Sequence, residues 1–363
     1  MLRRKRLDEI SWEDFNRLSL EEKAPYLVQA NGRPYHVLIA QQFNREQLDG
    51  LCGLATRIRR IAKSKEGMRF LSDLLCHKRA MLDFTQPSSR TFLSFYAACQ
   101  ILGIRPAEVR DPSISSEMKG ESREDSVRTF SSYFDMIIMR TPLQGFVEKM
   151  VWELSNTDRP LPIINAGSGK DQHPTQALLD IYTLQRSFEK NGELANKHIV
   201  FCGDLARGRT VRSLSRLLTY YPNIRQTFAA PEHLKIGQDI IDDLAAHNVD
   251  FTVTTDFKST IPTADAIYMT KIQDEWDKTA GESSHFNLMD FALTVDDMKQ
   301  LPHTSVIMHP LPRRHEIDPA IDSDPRAVYW RQMRNGMWVR SALIATIFGR
   351  DQEITHYYMM NLK

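Results

Sequence analysis

The sequence predicts an α/β protein with parallel sheets, and three observations lead to that fold class. A chain of 363 residues has room for two domains of ordinary size. From His36 onward, helical patterns alternate with short apolar stretches, which is typical of strands connected by helices. Several apolar stretches end in polar or glycine-rich loops, where open α/β sheets bind ligands. We therefore expect the functional residues to follow the carboxyl ends of strands.

The individual elements follow from hydrophobic periodicity and its interruptions. Residues 1–35 are polar, and Ser11 followed by acidic residues predicts a short capped helix there. The predicted strands are 80–84, 136–139, 162–165, 198–202, 249–254, 266–269 and 305–308. The predicted helices are 45–64, 92–102, 123–133, 175–190, 210–220, 236–247 and 336–348.

The composition excludes several classes of protein. Lys and Arg total 47 against 46 Asp and Glu, so no basic field indicates a nucleic-acid partner. No apolar run approaches the roughly 20 residues of a membrane helix. The basic start of the chain lacks the apolar core of a secretory signal. The four cysteines are widely spaced within apolar segments, which predicts reduced core residues of a cytoplasmic protein.

The turn after the predicted strand 80–84 gives the clearest indication of a binding site. It leads into the predicted helix 92–102, where free backbone N–H groups and the helix dipole favour an anion. Three hydroxyl groups and one guanidinium at this turn predict a phosphate site. An ordinary helix cap beside a surface arginine explains the same residues about equally well. The residues concerned are Ser88, Ser89, Arg90 and Thr91.

Other loops carry side chains suited to substrate binding. His173 and Gln176 flank Pro174 at the start of a predicted helix; His173 is suited to donate a hydrogen bond to a carbonyl oxygen or to act as an acid or base. Such a histidine is more often only a turn residue. The segment from Gly203 to Thr210 differs by one residue from the phosphate-binding loop motif, because it has Arg209 where the motif has Lys. The turn presents Arg209, which suits a carboxylate.

Two further segments carry polar or conformationally restricted residues. Lys119-Gly120-Glu121 follows a serine-rich loop and by itself is best explained as solvated surface. The prolines on both sides of Leu311 predict a rigid turn with a cis peptide, which exposes a backbone carbonyl as an acceptor for an amine.

Taken in order, these motifs resemble the catalytic chain of the aspartate carbamoyltransferase family. The likeness runs from His36 to Arg350, and matching motifs in one order are a specific signal. The phosphate interpretation of the first turn is therefore strongly favoured. The motifs are Pro87-Ser88-Ser89-Arg90-Thr91, Lys119-Gly120-Glu121, Arg140, His173-Pro174-Thr175-Gln176, Gly203 to Thr210, Tyr268 to Gln273, and His309-Pro310-Leu311-Pro312.

The resemblance implies two three-layer α/β domains with parallel sheets and an active-site cleft between them. Residues 1–35 would form an N-terminal extension. Residues 36–174 with 336–363 would bind carbamoyl phosphate, and residues 175–335 would bind aspartate. It also implies a homotrimer with shared active sites and no cofactor or metal. Whether a regulatory chain or a larger assembly exists stays open.

The resemblance also assigns roles residue by residue. The catalytic residues would be Arg90, Thr91, Lys119, Arg140 and His173. Carbamoyl phosphate would contact Ser88, Ser89, Arg90, Thr91, Arg140, His173 and Gln176, with Ser115 and Lys119 supplied by a neighbouring subunit. The aspartate ligands would be Lys119, Arg209, Lys271, Gln273 and the Leu311 carbonyl.

The chain departs from the family pattern at positions that matter for substrate closure. Gln86 and Trp276 stand where the family has Glu and Arg, so both charges of one pair are replaced together. Lys271 stands where the family has Arg and offers a point charge instead of a bidentate fork. We expect aspartate still to be accepted, with a raised KM.

Three hypotheses follow for the function. The first is carbamoyl transfer to aspartate, which commits carbamoyl phosphate to pyrimidine synthesis. The second is the same reaction on a different amine; His309-Pro310-Leu311-Pro312 argues against ornithine, because ornithine enzymes typically have Cys at the first proline. The third is a catalytically weak paralogue that serves as a scaffold or regulatory partner, which the intact polar motifs disfavour.

Overall fold

The computed structural model describes residues 5–111, 120–169, 172–189, 192–271 and 287–362. The chain divides into two compact units. The first comprises Met1–Leu179 with Gly336–Lys363, and the second comprises Asp180–Asn335. Both boundaries fall inside helices, since Pro174–Phe188 and Tyr329–Ile347 each contribute residues to both units.

The first unit is built on a four-stranded parallel sheet. Its order is β2-β1-β3-β4. Phe84 at the end of β1 lies opposite Arg140 near the end of β3, so the two carboxyl ends are level. The strands are β1 (Arg79–Phe84), β2 (Arg105–Val109), β3 (Met136–Thr141) and β4 (Ile163–Ser168).

The second unit is built on a five-stranded parallel sheet. Its order is β7-β6-β5-β8-β9. Apolar side chains of these strands and of the segments between them form its core, which includes Val200, Ile267, Ile307 and Tyr329. The strands are β5 (His198–Cys202), β6 (Arg225–Ala229), β7 (Asp250–Thr254), β8 (Ala266–Met269) and β9 (Val306–Met308).

The α-helices of the described residues precede, connect and follow these parallel strands. In chain order they are α1 (Trp12–Arg17), α2 (Leu20–Lys23), α3 (Arg45–Ile61), α4 (Lys65–Asp73), α5 (Ser89–Ile101), α6 (Arg123–Tyr133), α7 (Phe146–Ser155), α8 (Pro174–Phe188), α9 (Arg209–Leu218), α10 (Gln238–Ala246), α11 (Tyr329–Ile347) and α12 (Asp351–Asn361).

The amino-terminal residues pack as part of the first unit. Ser11 caps α1 by accepting a hydrogen bond from the Asp14 N–H at 3.1 Å, which confirms the predicted short helix. Phe15 of α1 is fully buried in the core cluster that α7 also enters. The Trp152 indole N–H donates to the Ile10 carbonyl at 2.9 Å, so this segment is fastened to α7.

The α/β fold class with parallel sheets is confirmed, but several strands and helices were not predicted. Strands β2 and β6 were not predicted because Arg105–Val109 and Arg225–Ala229 carry many polar residues and form no apolar run. Helix α7 was not predicted either, although its apolar residues recur with helical spacing and the sequence could have indicated it. Helix α11 starts at Tyr329, seven residues before the predicted 336. Helices α2, α4 and α12 were also not predicted.

The cysteine prediction is confirmed for three residues and wrong for one. Cys52, Cys99 and Cys202 are buried thiols, whereas Cys76 is exposed at the surface. In the part of the chain that the structure describes, no helix is long and apolar enough to cross a membrane.

A glycine at the end of β5 gives a test of this fold. Gly203 has φ +117°, and the chain at Thr270 passes close to it, since the Thr270 N–H donates to the Cys202 carbonyl at 2.8 Å. A Cβ at Gly203 would meet the Thr270 carbonyl oxygen at 2.2 Å. At Gly145, with φ +71°, an added Cβ has nothing within 4 Å among the described atoms.

We predict that Gly203→Ala destabilises the chain more than Gly145→Ala does. Positive φ alone costs about 1–3 kcal/mol at either position. Overpacking adds about 1–3 kcal/mol at Gly203 only. The measurement is the urea midpoint of unfolding followed by circular dichroism. Equal shifts for the two variants would show that the close approach at Thr270 is wrong.

Candidate active site

The predicted phosphate turn lies at the carboxyl end of β1. Helix α5 begins at Ser89 with Ser88 as its N-cap, so Arg90 and Thr91 lie in the first helical turn. The sequence pattern had placed both residues before the helix, at a predicted start of 92. Among the described contacts, the Ser88 side chain accepts no capping hydrogen bond. Thr91 is buried, while Ser89 and Arg90 are exposed. The turn therefore presents hydroxyl and guanidinium donors at a helix N-terminus.

Arg140 is held between the ends of three neighbouring strands. Its carbonyl accepts a hydrogen bond from the Gln86 N–H at 3.3 Å, just beyond β1. Its guanidinium Nη1 donates to the Ala166 carbonyl of β4 at 3.1 Å. The residue is 9% exposed, so its cation is fixed by protein contacts at the carboxyl end of β3.

His173 and Gln176 lie in the opening turn of α8, beyond the end of β4. Helix α8 begins at Pro174, one residue before the predicted start at 175, and the Gln176 N–H donates to the His173 carbonyl at 3.0 Å. Gln172 fastens this loop, because its Oε1 accepts from the Ala40 N–H at 2.7 Å. His173 and Gln176 are 4% and 9% exposed.

The first unit thus brings the predicted groups to one edge of its sheet. Strands β1, β3 and β4 are adjacent and parallel, so the residues that follow them share the carboxyl-end edge. Guanidinium and hydroxyl donors suit a phosphate, and an imidazole with an amide suits a small polar group bonded to it. The residues at this edge are Ser88, Ser89, Arg90, Thr91, Arg140, His173 and Gln176.

In the second unit, Arg209 is the first residue of α9, after the end of β5. Gly208 is its N-cap, and Arg209 is half-buried. The loop before it is shaped by Asp204, whose fully buried carboxylate accepts from the Arg207 N–H at 3.0 Å. Arg209 therefore lies at a helix start beyond the carboxyl end of β5.

Lys271 lies beyond the end of β8, next to the end of β5. The Thr270 N–H and hydroxyl both donate to the Cys202 carbonyl, at 2.8 and 3.1 Å, which fixes the residue before Lys271. Lys271 is half-buried. Strands β5 and β8 are neighbours, so Arg209 and Lys271 follow adjacent strand ends.

Leu311 follows β9, the next strand in the sheet. The Leu311–Pro312 peptide is cis, as the two prolines predicted. Leu311 has φ +56°, and its N–H donates to Nδ1 of His309 at 2.7 Å. The turn is therefore held from within by a side chain two residues earlier.

Sequence reasoning overlooked a buried polar network beneath these strand ends. The Tyr268 hydroxyl of β8 donates to Asp180 Oδ2 at 2.8 Å, and Gln332 Nε2 donates to Asp180 Oδ1 at 2.7 Å. Gln332 Oε1 accepts from the His309 N–H at 2.9 Å. A readable signal existed, since Asp180 interrupts an otherwise apolar stretch of α8.

One cavity lies apart from these strand ends, and four of the predicted residues are outside the part of the chain that the structure describes. Ser115, Lys119, Gln273 and Trp276 lie outside the described residues. A cavity of about 550 Å³ is lined by residues that include Lys78, Asp135 and Pro162, which precede β1, β3 and β4. It lies at the amino ends of the strands and contains none of the candidate residues that the structure describes.

Family models match most of the chain. The model for the aspartate/ornithine carbamoyltransferase carbamoyl-P binding domain matches residues 35–186. The model for the Asp/Orn binding domain of the same family matches residues 195–347.

Individual relatives give the same result. The chain is 40% identical over 314 residues to the multifunctional protein pyr1-3 of Dictyostelium discoideum, covering 86% of this chain but only 13% of that protein. It is 36% identical over 315 residues to the aspartate carbamoyltransferase catalytic subunit of Clostridium kluyveri, covering 86% of this chain and 98% of that subunit.

A solved structure is similar as well. The aspartate transcarbamoylase of Trypanosoma cruzi, crystallised with aspartate and phosphate, superposes with a TM-score of 0.77. The two sequences are 33% identical, and the match covers 88% of this chain and 96% of that chain.

We predict that Arg90→Gln weakens binding of inorganic phosphate, measured by calorimetry on the full chain. Loss of charge-assisted hydrogen bonds should raise the Kd by about tenfold or more. The control is Arg105→Gln, because Arg105 is an exposed arginine at the opposite, amino end of the sheet. If both variants lowered affinity equally, phosphate would be responding to net charge and not to the turn.

Proposed function

Because the chain belongs to the aspartate/ornithine carbamoyltransferase family, we propose that it transfers the carbamoyl group of carbamoyl phosphate to the amine of L-aspartate. The products are N-carbamoyl-L-aspartate and phosphate, and the reaction serves pyrimidine biosynthesis. The observation that carries this proposal is the 36% identity to an aspartate carbamoyltransferase catalytic subunit along 98% of its length.

The division of labour follows the two family domains. We propose that residues 36–174 with 336–363 bind carbamoyl phosphate and that residues 175–335 bind aspartate. The polar strand ends of each sheet support this division. In one unit hydroxyls and Arg90 follow β1 and Arg140 lies near the end of β3, and in the other unit Arg209 and Lys271 follow β5 and β8.

In the first unit, the phosphate of carbamoyl phosphate is held by the α5 turn. Helix N–H groups, hydroxyls and the Arg90 guanidinium supply the donors. Arg140, His173 and Thr91 donate to the carbonyl oxygen of the carbamoyl group, and Gln176 holds its amino group. The phosphate ligands are Ser88, Ser89, Arg90 and Thr91.

In the second unit, cationic side chains bind the aspartate carboxylates. Arg209 offers a bidentate fork and Lys271 a point charge, and Gln273 is proposed as a further ligand of the same substrate. The Leu311 carbonyl accepts a hydrogen bond from the substrate amine, which aims the nitrogen lone pair. A Lys at position 271 is consistent with a KM for aspartate above that of a relative with Arg there.

These groups suit an acyl-type transfer that needs no protein nucleophile. The neutral amine attacks the carbamoyl carbon, a tetrahedral oxyanion forms, and inorganic phosphate leaves as the carbon–oxygen bond breaks. Arg140, His173 and Thr91 stabilise the oxyanion, and positioning lowers the entropic part of the barrier. The departing phosphate accepts the amine proton, with Lys119 assisting.

We further propose a cytoplasmic homotrimer in which each active site is shared. Ser115 and Lys119 of one subunit would act in the site of its neighbour. The four cysteines are thiols, which is consistent with a reducing compartment.

The activity is tested with an acceptor panel. Carbamoyl phosphate is offered with aspartate, ornithine or putrescine, and ureido product and phosphate are counted. We predict a clear preference for aspartate, and a loss of about a hundredfold or more in kcat for His173→Ala, since one oxyanion donor is removed. Transfer only to another amine would overturn the choice of substrate. Phosphate binding without transfer to any amine would favour the scaffold hypothesis.

The shared site is tested with mixed trimers. Arg90→Ala and Lys119→Ala variants are each expected to be nearly inactive. If Arg90 and Lys119 of adjacent subunits complete one site, random mixing leaves one intact site in every mixed trimer, and about a quarter of the wild-type activity should return. No recovery after verified subunit exchange would contradict the shared site.

A further inference from the structure

We propose that Glu316 and His309 form a positioning pair that sets the direction of the Leu311 carbonyl toward the amine of the acceptor. Neither side chain touches the substrate in this proposal. It rests on the function proposed above, in which the Leu311 carbonyl accepts a hydrogen bond from the amine. Binding of the amine substrate then depends on the tautomer of a buried histidine.

The tautomer of His309 follows from its two hydrogen bonds. The Leu311 backbone N–H can only donate, so Nδ1 of His309, 2.7 Å away, accepts and carries no proton. The ring proton therefore resides on Nε2, which donates to Glu316 Oε1 at 2.7 Å. Both ring nitrogens are engaged, and their roles cannot be exchanged without breaking both bonds.

Glu316 is held in place to accept this proton. Its carboxylate also accepts from the Arg314 N–H, with both oxygens at 3.1 Å. The side chains of His309 and Glu316 are 0% and 10% exposed, so water is a poor substitute for either partner. Burial by itself would raise the pKa of Glu316, but the contacts with His309 and with the Arg314 and Glu316 N–H groups together outweigh it, and the pKa is lowered.

The pair acts on a backbone that needs support. Leu311 has φ +56°, a conformation that side-chain-bearing residues rarely adopt and that persists only where surrounding contacts enforce it. With the proton on Nδ1 instead, two donors would face each other at the Leu311 N–H, and the turn would move. Glu316 prevents this because it stabilises the proton on Nε2.

The other end of the turn is fixed independently. The His309 N–H donates to Gln332, which is joined through Asp180 to Tyr268 of β8. With the backbone before the turn anchored in this way, the bond from His309 to the Leu311 N–H determines how the rest of the turn is oriented. A displacement of the carbonyl by about 1 Å is enough to impair a bound reactant.

The test compares two substitutions of the same histidine. An Asn side chain can accept from the backbone N–H two residues on, as Nδ1 does, whereas Gln places its amide too far out for this bond. We expect His309→Gln to raise the KM for aspartate by about tenfold, the effect of one buried hydrogen bond. His309→Asn should stay within about threefold of wild type. The KM for carbamoyl phosphate should not change in either variant.

A second pair of substitutions tests Glu316, the hydrogen-bond acceptor of the His309 Nε2 proton. Glu316→Gln keeps an oxygen for the Nε2 proton and should behave like His309→Asn, whereas Glu316→Leu should behave like His309→Gln. This pair also decides the matter if His309→Gln does not fold, as judged by circular dichroism. The control is His198→Gln, because His198 is a buried histidine bonded to Thr227 and Thr263 at the opposite end of the sheet. It should leave the KM for aspartate unchanged.

The outcomes separate this proposal from the proposed function. His309→Asn and Glu316→Gln keep a hydrogen-bond acceptor, whereas His309→Gln and Glu316→Leu lose it. Equal KM values for aspartate in these two groups, or equal rises in KM for both substrates, would overturn the positioning pair alone. If the wild-type chain transferred no carbamoyl group to aspartate, the proposed function would fail, and the positioning pair with it.

Discussion

The candidate site depends on one constraint, the parallel direction of every strand in both sheets. Parallel strands place all their carboxyl ends at one edge, so residues far apart in sequence share that edge. In the first unit this unites the segments after β1, β3 and β4; in the second it unites those after β5, β8 and β9. Strands β1, β3 and β5 are largely buried and apolar, which leaves most of the polar chemistry to their carboxyl ends and the loops that follow them.

A second requirement is that polar groups beneath those loops be satisfied. Asp180 is fully buried, and a carboxylate in that position is costly unless it is hydrogen-bonded. Tyr268 and Gln332 donate hydrogen bonds to it, and Gln332 in turn accepts a hydrogen bond from the His309 N–H. The network links β8, α8, α11 and the turn after β9 within the second unit. Hydrogen bonds therefore connect the strand that precedes Lys271 with the turn that contains Leu311.

The sequence predicted what depends on local pattern. Buried apolar strands such as β1 and β5 were recognisable, and the two prolines around Leu311 indicated its cis peptide. A polar strand such as β6 could not be recognised from its composition, because it is a strand through its pairing with β5 and β7. The start of α5 was misjudged because hydroxyl residues are equally compatible with a cap and with a first turn.

Partnerships across a turn were the least accessible to sequence reasoning. His309 belongs to a recognisable motif, but nothing in the sequence indicates that Glu316, seven residues later, accepts its proton. That contact depends on how the chain after Pro312 returns toward the sheet, where the Leu293 N–H donates to the Glu316 carbonyl at 2.8 Å. Tertiary structure thus gives an ordinary loop glutamate a specific position.

The central claim is that this chain forms a bond between the carbamoyl carbon and the amine nitrogen of aspartate. The most direct measurement is an NMR spectrum of the reaction with isotopic labels on both of those atoms. We expect a one-bond carbon–nitrogen coupling in the product, growing with time and absent without the protein. If the labelled carbon appeared only in carbamoyl phosphate and its breakdown products, at the rate seen without the protein, the claim would be contradicted.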